Sequence, residues 1–425
     1  MLRLSGEQAI EIAQKMAPTI HKWEHSRVAV GYIRQTDGTV LDQVVVTTFK
    51  APQSFTGENT VEFSCHGNPL IVDAIINLAI EYGARVARAG EFTRQAVLNG
   101  KMSMLKAEAL NEVIHAGSLE GVDIAQQGLR GIVDDNESKL RRTLLNIAAE
   151  LEAKMDYPQE DLSFESDEQI VEALHQIAQN ARLTAQSYQQ NRIRLNGAKV
   201  AILGPVNAGK SSLFNHLVGS NRAIVSDRPG TTRDIVERRV LIDGMEICFF
   251  DTAGARFDST DPIENTGIQM GIEIAKEADL CLLVHPANEE LGVIMDLQKE
   301  ISHVPSLLIL THIDVKTSLN LQSDCRVSNK SKKGLKELFL KIRTVLGINK
   351  TSENKYVSLS QRQQSLFQVI ADHIDMSASA LNGFLGPAVA TEEITLALEA
   401  LADLRGDDAR EAVLDQLFSK FCIGK

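Results

Sequence analysis

The stretch Val200-Ala-Ile-Leu-Gly-Pro-Val-Asn-Ala-Gly-Lys-Ser-Ser212 constrains the fold of this chain more than any other. It is an apolar run, a Gly204-x-x-x-x-Gly209-Lys210-Ser211 loop and a helix-like Leu213–Leu217. Glycines let a backbone wrap a phosphate chain with its N–H groups turned inward. Lys210 adds a point charge for the β- and γ-phosphates, and the Ser211 hydroxyl is a candidate Mg²⁺ ligand. The following helix offers its positive end to the same phosphates. Two downstream segments narrow the reading. Gly230-Thr-Thr-Arg-Asp234, after Ser226-Asp-Arg-Pro229, is a loop that could bring Thr232 to Mg²⁺ and the γ-phosphate. Asp251-Thr-Ala-Gly254 ends the strand-like Glu246–Phe250, which sets Asp251 near the metal and the Gly254 N–H near the γ-phosphate. Each piece alone is an ordinary turn; all three in this order predict a GTPase core.

The remainder of the 425 residues suggests two to four domains. No apolar run approaches membrane-spanning length and no signal-peptide pattern opens the chain, so a cytoplasmic protein without a membrane partner is expected. Cys65, Cys248, Cys281, Cys325 and Cys422 are scattered, which favours reduced thiols over a disulfide or zinc framework. A net charge of −12 argues against a broadly basic surface that coats nucleic acid, though not against a local basic patch.

Taken in order, residues 1–98 read as a mixed α/β unit. Helices are expected over Glu7–Ala17 and Pro69–Tyr82, and strands over Arg27–Ile33, Gln43–Phe49 and Thr60–Ser64. Leu2–Gly6 reads as the end of a strand rather than the start of a domain. Residues 99–195 show only helical periodicity: Leu140, Leu144, Ile147, Leu151 and Met155 share one face, as do Ile170, Leu174, Ile177 and Ala181 beyond a break at Tyr157-Pro158. A Gln-rich tail, 186–191, leads out of that block. Over 196–348 the short apolar runs Val200–Leu203, Ile247–Phe250, Leu280–Val284 and Leu307–Leu310 predict a doubly wound parallel sheet with its ligand at the strands' carboxyl ends. Residues 349–425 are helical again, with Leu366, Val369, Ile370 and His373, then Ile394, Leu398 and Leu401, then Val413–Phe421, as apolar stripes. The expected fold class is α/β plus α: an N-terminal α+β domain, a discontinuous all-α domain, and a P-loop domain inserted into it.

Two details bear on chemistry. The position after Asp251-Thr-Ala-Gly254 is Ala255, which cannot orient a water, where many GTPases carry glutamine. Losing such assistance forfeits factors of roughly 10³–10⁵ in rate. A monovalent cation held at Asn207 beside the phosphates could replace the charge, and Glu264 is a candidate to position water, against the plainer reading of a solvated glutamate. Base recognition falls to Thr311-His-Ile-Asp314, where Asn-Lys-x-Asp is usual, and to Ser328-Asn-Lys330. Asp314 keeps the carboxylate that accepts two guanine N–H bonds. The missing asparagine removes one hydrogen bond, worth about 0.5–1.5 kcal/mol, so guanine preference is expected to weaken rather than vanish.

The motifs Phe55-Thr-Gly-Glu58, Gly90-Glu-Phe-Thr93, Leu98-Asn-Gly-Lys101, Asn207–Ser212, Gly230–Asp234, Asp251–Gly254 and the terminal Phe421-Cys-Ile-Gly-Lys425 resemble the MnmE (TrmE) family of tRNA-modification GTPases. The resemblance covers nearly the whole chain. It implies a folate-binding N-domain that pairs two subunits, a discontinuous helical domain, and inserted G domains that dimerise when K⁺ is bound. It further implies a homodimer working in a heterotetramer with the FAD- and NADH-using protein MnmG. That complex adds an aminomethyl or carboxymethylaminomethyl group to C5 of the wobble uridine of certain tRNAs. The one-carbon unit comes from 5,10-methylene- or 5-formyl-tetrahydrofolate, and GTP is hydrolysed.

Carried over motif by motif, the resemblance puts GTP against Asn207, Ala208, Gly209, Lys210, Ser211 and Ser212; Ser226, Asp227, Arg228, Pro229, Gly230, Thr231 and Thr232; Asp251, Thr252, Ala253 and Gly254; Thr311, His312 and Asp314; and Ser328, Asn329 and Lys330. Ser211 and Thr232 match the Mg²⁺ ligands, and Asn207, Ser226, Arg228 and Thr231 the K⁺ site. Glu264 matches the water-positioning glutamate, and Cys422 a cysteine implicated in the modification, against the plainer reading of a buried thiol. Arg3, Glu62, Lys101 and Lys425 match folate contacts. The chain departs from the family at the Gly-rich segment usual before Leu2, which implies an N-domain lacking its first strand, at Thr311-His312, and at Pro205, where arginine is frequent. Two other readings stand beside this one: a ribosome-assembly GTPase, and a scaffold of the same complex that turns over nucleotide poorly.

Overall fold

The computed structural model of the protein describes residues 1–156, 165–219, 236–242, 244–251, 271–315, 321–347, 359–383, 385–406 and 418. Two compact units emerge: Met1–Asn111, Gly128–Ala181 and Leu366–Lys425 form one, Glu112–Gln127 and Arg182–Ser365 the other.

In the first unit, β1 (Leu2–Ser5), α1 (Ala9–Met16), β2 (Arg27–Arg34), β3 (Val40–Phe49), β4 (Thr60–Ser64), α2 (Pro69–Glu81) and α3 (Glu91–Leu98) follow in order. The strands form one antiparallel sheet, β1-β4-β3-β2. Period-two alternation decides which face is buried. Ile33, Val44, Val46, Val61 and Phe63 close a core against Ile12 and Met16 of α1 and Ile75 and Leu78 of α2. Val28, Val30, Tyr32 and Val45 stay exposed. Local chemistry starts α2: Asn68 accepts the Leu70 N–H, and proline takes the first turn, where it forfeits no helical bond. The sequence pattern did not signal α3, whose eight residues are half polar and half apolar.

Helices α4 (Met104–His115), α5 (Leu119–Leu129), α6 (Ile132–Asp156) and α7 (Asp167–Asn196) come next. On α6 the expected stripe is deepest at its centre: Leu144 and Leu151 are fully buried, whereas Met155 is exposed. On α7 the buried line is Ile170, Leu174, Ala178, Ala181 and Ala185. Ile177, assigned to the stripe by spacing, is only half-buried and yields its place to Ala178. The expected break at Tyr157-Pro158 lies outside the described residues. The Gln-rich segment 186–191 stays within the expected helical block. It continues α7 to Asn196, with Ser187 and Asn191 buried, because polar side chains with good helix propensity extend a helix as readily as apolar ones.

The second unit is built on a six-stranded sheet of β5 (Ala198–Leu203), β6 (Val236–Ile242), β7 (Met245–Asp251), β8 (Leu280–Pro286), β9 (Ser306–Thr311) and β10 (Cys325–Arg326). Its order is β10-β9-β8-β5-β7-β6. All pairs are parallel except β6–β7, an antiparallel edge that the run-length reading missed because β6 carries the charged Glu237-Arg-Arg239. Helix α8 (Lys210–Gly219) follows β5; α9 (Gly292–Glu300) and α10 (Leu335–Val345) flank β9 and β10 in sequence. Val200 and Ile202 face a core shared with Leu213 and Leu217 of α8 and Leu338 and Ile342 of α10. Ala201 and Leu203 face the opposite core, with Ile294 and Leu297 of α9 and Ile272. Both faces of β5 are therefore covered, which is why it reads as an unbroken apolar run. Residues 112–127 join this unit through a close approach at Gly117. Its N–H donates to Leu195 O at 2.6 Å, and a Cβ there would lie 2.2 Å from the Gly197 nitrogen.

Two further helices, α11 (Gln361–Asn382) and α12 (Gly386–Arg405), complete the described chain, and α12 packs along α6. On α11 the inward residues are Phe367, Ile370, Ala371, Ile374 and Ala378; Val369, expected in the stripe, faces solvent. The stripe Val413–Phe421 falls outside the described residues except Phe418, which is buried against Met104 and Ala107.

Candidate functional site

The phosphate-loop motif occupies the carboxyl end of β5. Gly204 has φ +153°, and a Cβ there would lie 2.0 Å from the Val284 carbonyl oxygen of β8, so the loop leaves the sheet where only glycine fits. Asn207 takes a left-handed turn at φ +61° with its side chain exposed at the rim, and Ala208 is buried. Lys210 is almost fully buried, and its Nζ donates to Gly204 O at 3.0 Å and Pro205 O at 2.8 Å. Ser211 and Ser212 are exposed in the first turn of α8.

The two segments expected to recognise the base meet this loop. Thr311, at the end of β9, donates its hydroxyl proton to Ala208 O at 2.6 Å, with His285 O within 3.2 Å. Asn329 donates from Nδ2 to Gly209 O at 3.1 Å, and its own carbonyl accepts from His216 at 2.8 Å. Ser328 donates to Asp314 Oδ1 at 3.1 Å, which orients the carboxylate. His312, in the usual lysine position, has φ +54°. Lys330 is exposed. Asp251 closes β7. Sequence reasoning missed His285, a fully buried ring at the end of β8 that donates from Nε2 to Glu289 O at 3.1 Å. Nothing in an apolar run distinguishes it. Ser226, Asp227, Arg228, Pro229, Gly230, Thr231, Thr232, Thr252, Ala253, Gly254, Glu264, Cys422 and Lys425 lie outside the described residues.

In the first unit, motifs far apart in sequence close around Arg3. Its guanidinium donates twice to Glu62 Oε1, at 2.9 and 2.6 Å, across the β1–β4 register. The Arg3 charge also lies 5.2 Å from the Phe55 ring centroid and 5.4 Å from that of Phe92, a cation held between two aromatic faces. Each motif thus supplies a wall, and neither phenylalanine had been given a role. Arg3 and Glu62 are a partly buried pair rather than surface charges. Asn99 donates to Thr56 O at 2.7 Å, and Ser5 donates to Glu58 Oε2 at 2.9 Å. Lys101 donates to Pro52 O at 2.8 Å. Beside them is a cleft of about 470 Å³, lined in part by Arg3, Ser5, Glu58, Arg85, Glu91 and Gln95. The Arg85 hydrogen bond holds the Glu91 carboxyl below the usual carboxylate range against the opposing effect of burial.

No cluster of His, Cys, Asp and Glu among the described residues could hold a metal ion, and no described helix is long and apolar enough to cross a membrane. Four cysteines among the described residues, Cys65, Cys248, Cys281 and Cys325, are free thiols.

The chain is similar in sequence to known proteins over its whole length. The family model for the MnmE helical domain matches residues 104–422, and that for the GTP-binding protein TrmE N-terminus matches 1–101. A protein named tRNA modification GTPase MnmE from Nostoc sp. (strain PCC 7120) is 34% identical over 439 residues, spanning 100% of this chain and 95% of its own. Its namesake from Hydrogenovibrio crunogenus is 34% identical over 433 residues, spanning 100% and 95%. The namesake from Thermotoga maritima is 32% identical over 444 residues, spanning 100% and 96%.

Proposed function

The chain belongs to the MnmE family of tRNA modification GTPases, and on that premise we propose that it hydrolyses GTP under K⁺ activation to drive wobble-uridine modification with tetrahydrofolate and an MnmG-type partner. The observation that supports this reading is that one chain brings together two clusters of the motif residues. One is a phosphate loop backed by base-recognition segments; the other is an Arg3–Glu62 pair flanked by Phe55 and Phe92 beside a polar cleft.

The residues suit the groups they would hold. Ser211 leaves its side chain exposed at the first turn of α8, which fits a hard, oxygen-seeking Mg²⁺. Asn207 carries an exposed amide at the loop rim, in place for a monovalent cation. Bound there, K⁺ would supply the positive charge that an arginine finger supplies in other GTPases. Lys210 has two loop carbonyls to release in exchange for phosphate oxygens. Asp314, oriented by Ser328, accepts guanine N–H groups. At the second site the Glu62 oxygen not held by Arg3 is the acceptor for pterin N–H donors. Phe55 and Phe92 border the space, and Lys101 suits a glutamate tail. Tetrahydrofolate would supply the one-carbon unit. Val28, Val30, Tyr32 and Val45 form an exposed apolar strip at the β2 edge that supports pairing with a second copy of the chain.

The test is GTP hydrolysis by the full chain in KCl against NaCl at matched ionic strength, with ATP as competitor. Strong K⁺ stimulation with GTP preferred is the expected result. Equal, near-zero turnover in both salts would remove the active-GTPase reading.

A further inference from the structure

The chain carries a net charge of −12, yet seven basic residues and one acidic residue fall between Arg326 and Arg343. This segment runs from the edge strand β10 through residues 327–334 into α10. The fold ties it down. Gly334 has φ +84°, and a Cβ there would lie 2.0 Å from Arg326 O, so the loop is pressed against β10. The Ser328 N–H donates to Lys333 O at 3.1 Å, and the Ser331 N–H donates to Ser328 Oγ at 3.1 Å. Lys332 is held at φ +59°, a left-handed turn that glycine or asparagine would take at lower cost.

The cations of this turn are not neutralised. Lys332, Lys333 and Lys336 are exposed, and none has a carboxylate within ion-pair distance among the described residues. Glu337, the segment's one acid, faces Lys341 at 3.8 Å instead. Exposed lysines elsewhere do find partners: Lys15 faces Glu11, Lys276 faces Glu300 and Lys299 faces Asp296. Like charges held close on a fixed turn repel one another, and a polyanion relieves that repulsion. A protein partner would need apolar anchors. Every exposed side chain from Lys330 to Glu337 is polar or charged, and Leu335 is buried. A phosphodiester backbone asks only for cations at fixed points.

We propose that Lys332, Lys333 and Lys336 form a phosphate-contacting surface that docks RNA on the six-stranded unit and positions a tRNA without reading its sequence. The proposal rests on the reading that the chain acts on tRNA, and adds where the RNA backbone is held.

The test is binding of a tRNA transcript with an unmodified wobble uridine to the full chain, by filter retention from about 50 to about 200 mM KCl. The variant carries Lys332→Gln, Lys333→Gln and Lys336→Gln together. A charge-matched control carries Lys15→Gln, Lys276→Gln and Lys299→Gln, which removes three cations that already face carboxylates. Each phosphate contact adds about 0.7–0.9 to the slope of log affinity against log salt. The variant's slope should therefore be shallower by about 2–3, and its affinity about tenfold weaker at the lower salt. The loss should be the same for a transcript with cytidine at the wobble position. The control should stay within about twofold of the parent, and GDP affinity of the variant should match the parent, which shows the sheet intact. If the triple variant loses GDP as well, Lys336→Gln alone should still lower the slope by about one. Unchanged tRNA affinity and slope in the variant, or an equal loss in the control, overturns the surface alone. A loss confined to the uridine transcript overturns contact through phosphates. A parent chain that binds no tRNA at the lower salt overturns the tRNA reading itself, and the surface with it.

Discussion

Gly204→Ala probes the junction on which the nucleotide site stands. At φ +153° the backbone of residue 204 lies in a region that alanine occupies only under strain, costing about 1–3 kcal/mol. The added Cβ would also lie 2.0 Å from Val284 O and 3.0 Å from Val284 C. Both are backbone atoms of β8, which pairs with β5 through Leu203↔Leu283, so no side chain can swing aside. Relieving such overlap costs about 1–3 kcal/mol more. The sum, about 2–6 kcal/mol, is a large share of the usual 5–15 kcal/mol of a folded domain. It must appear either as lost stability or as a displaced phosphate loop. At the lower bound the melting temperature falls by roughly 4–8 °C for a unit of this size, or GDP affinity falls about thirtyfold. Thermal unfolding and GDP titration on the same preparations give both. Gly219→Ala is the control, since a Cβ there meets nothing within 4 Å, and it should change either quantity little. A Gly204→Ala protein that melts and binds GDP like the parent would refute the argument that the close β5–β8 approach demands glycine.

Arg3→Met keeps bulk between Phe55 and Phe92 but leaves Glu62 partly buried without its cation; it should destabilise the protein by about 1–3 kcal/mol and weaken 5-formyl-tetrahydrofolate binding at least tenfold by calorimetry. Lys15→Met, which removes an exposed ion pair, should change neither by more than about 0.5 kcal/mol. Asp42 is buried, which opposes its charge, yet bonds from the His66 N–H and ring win and hold the carboxyl below its usual range. A depressed carboxyl stabilises above its unfolded value near pH 4 and loses that contribution as pH falls through the folded value. Hydrogen exchange in β3 and β4 should therefore quicken on acidification below about pH 4 in the parent, and that dependence should be blunted in Asp42→Asn. Burial raises the thiol of Cys248 furthest, Cys281 to about 12 and Cys325 to about 11. Among the described thiols, iodoacetamide at pH 8 should label the half-buried Cys65 first and spare these three; rapid labelling of native Cys281 would contradict that packing.

Legibility from sequence followed the range of the interaction. Strand β4 and the start of α2 fall where the pattern put them, because alternation, Asn68 and Pro69 act within a few residues. The stripes on α7 and α11 were right in kind but shifted at Ile177 and Val369, since 3.6-residue periodicity leaves a choice between neighbours that only the packing partner resolves. Edge strand β6 was invisible, its charges being tolerable only where a strand has one neighbour. At the nucleotide site the phosphate loop could be read residue by residue, but the use of Thr311 and Asn329 could not.

By itself the sequence determined that a phosphate loop would stand at a strand–helix junction, that helical and α/β segments would alternate, and which family the motifs resemble. These follow from local rules: glycine where only glycine fits, and apolar runs where both faces are covered. The tertiary structure alone decided that Thr311 and Asn329 reach back to carbonyls of the phosphate loop, and that Arg3, Phe55, Glu62 and Phe92 form one cluster. It also decided that residues 112–127 pack with the six-stranded sheet. Such contacts join residues tens to more than a hundred positions apart, and hydrogen-bond geometry and close packing exist only once the chain has folded back on itself.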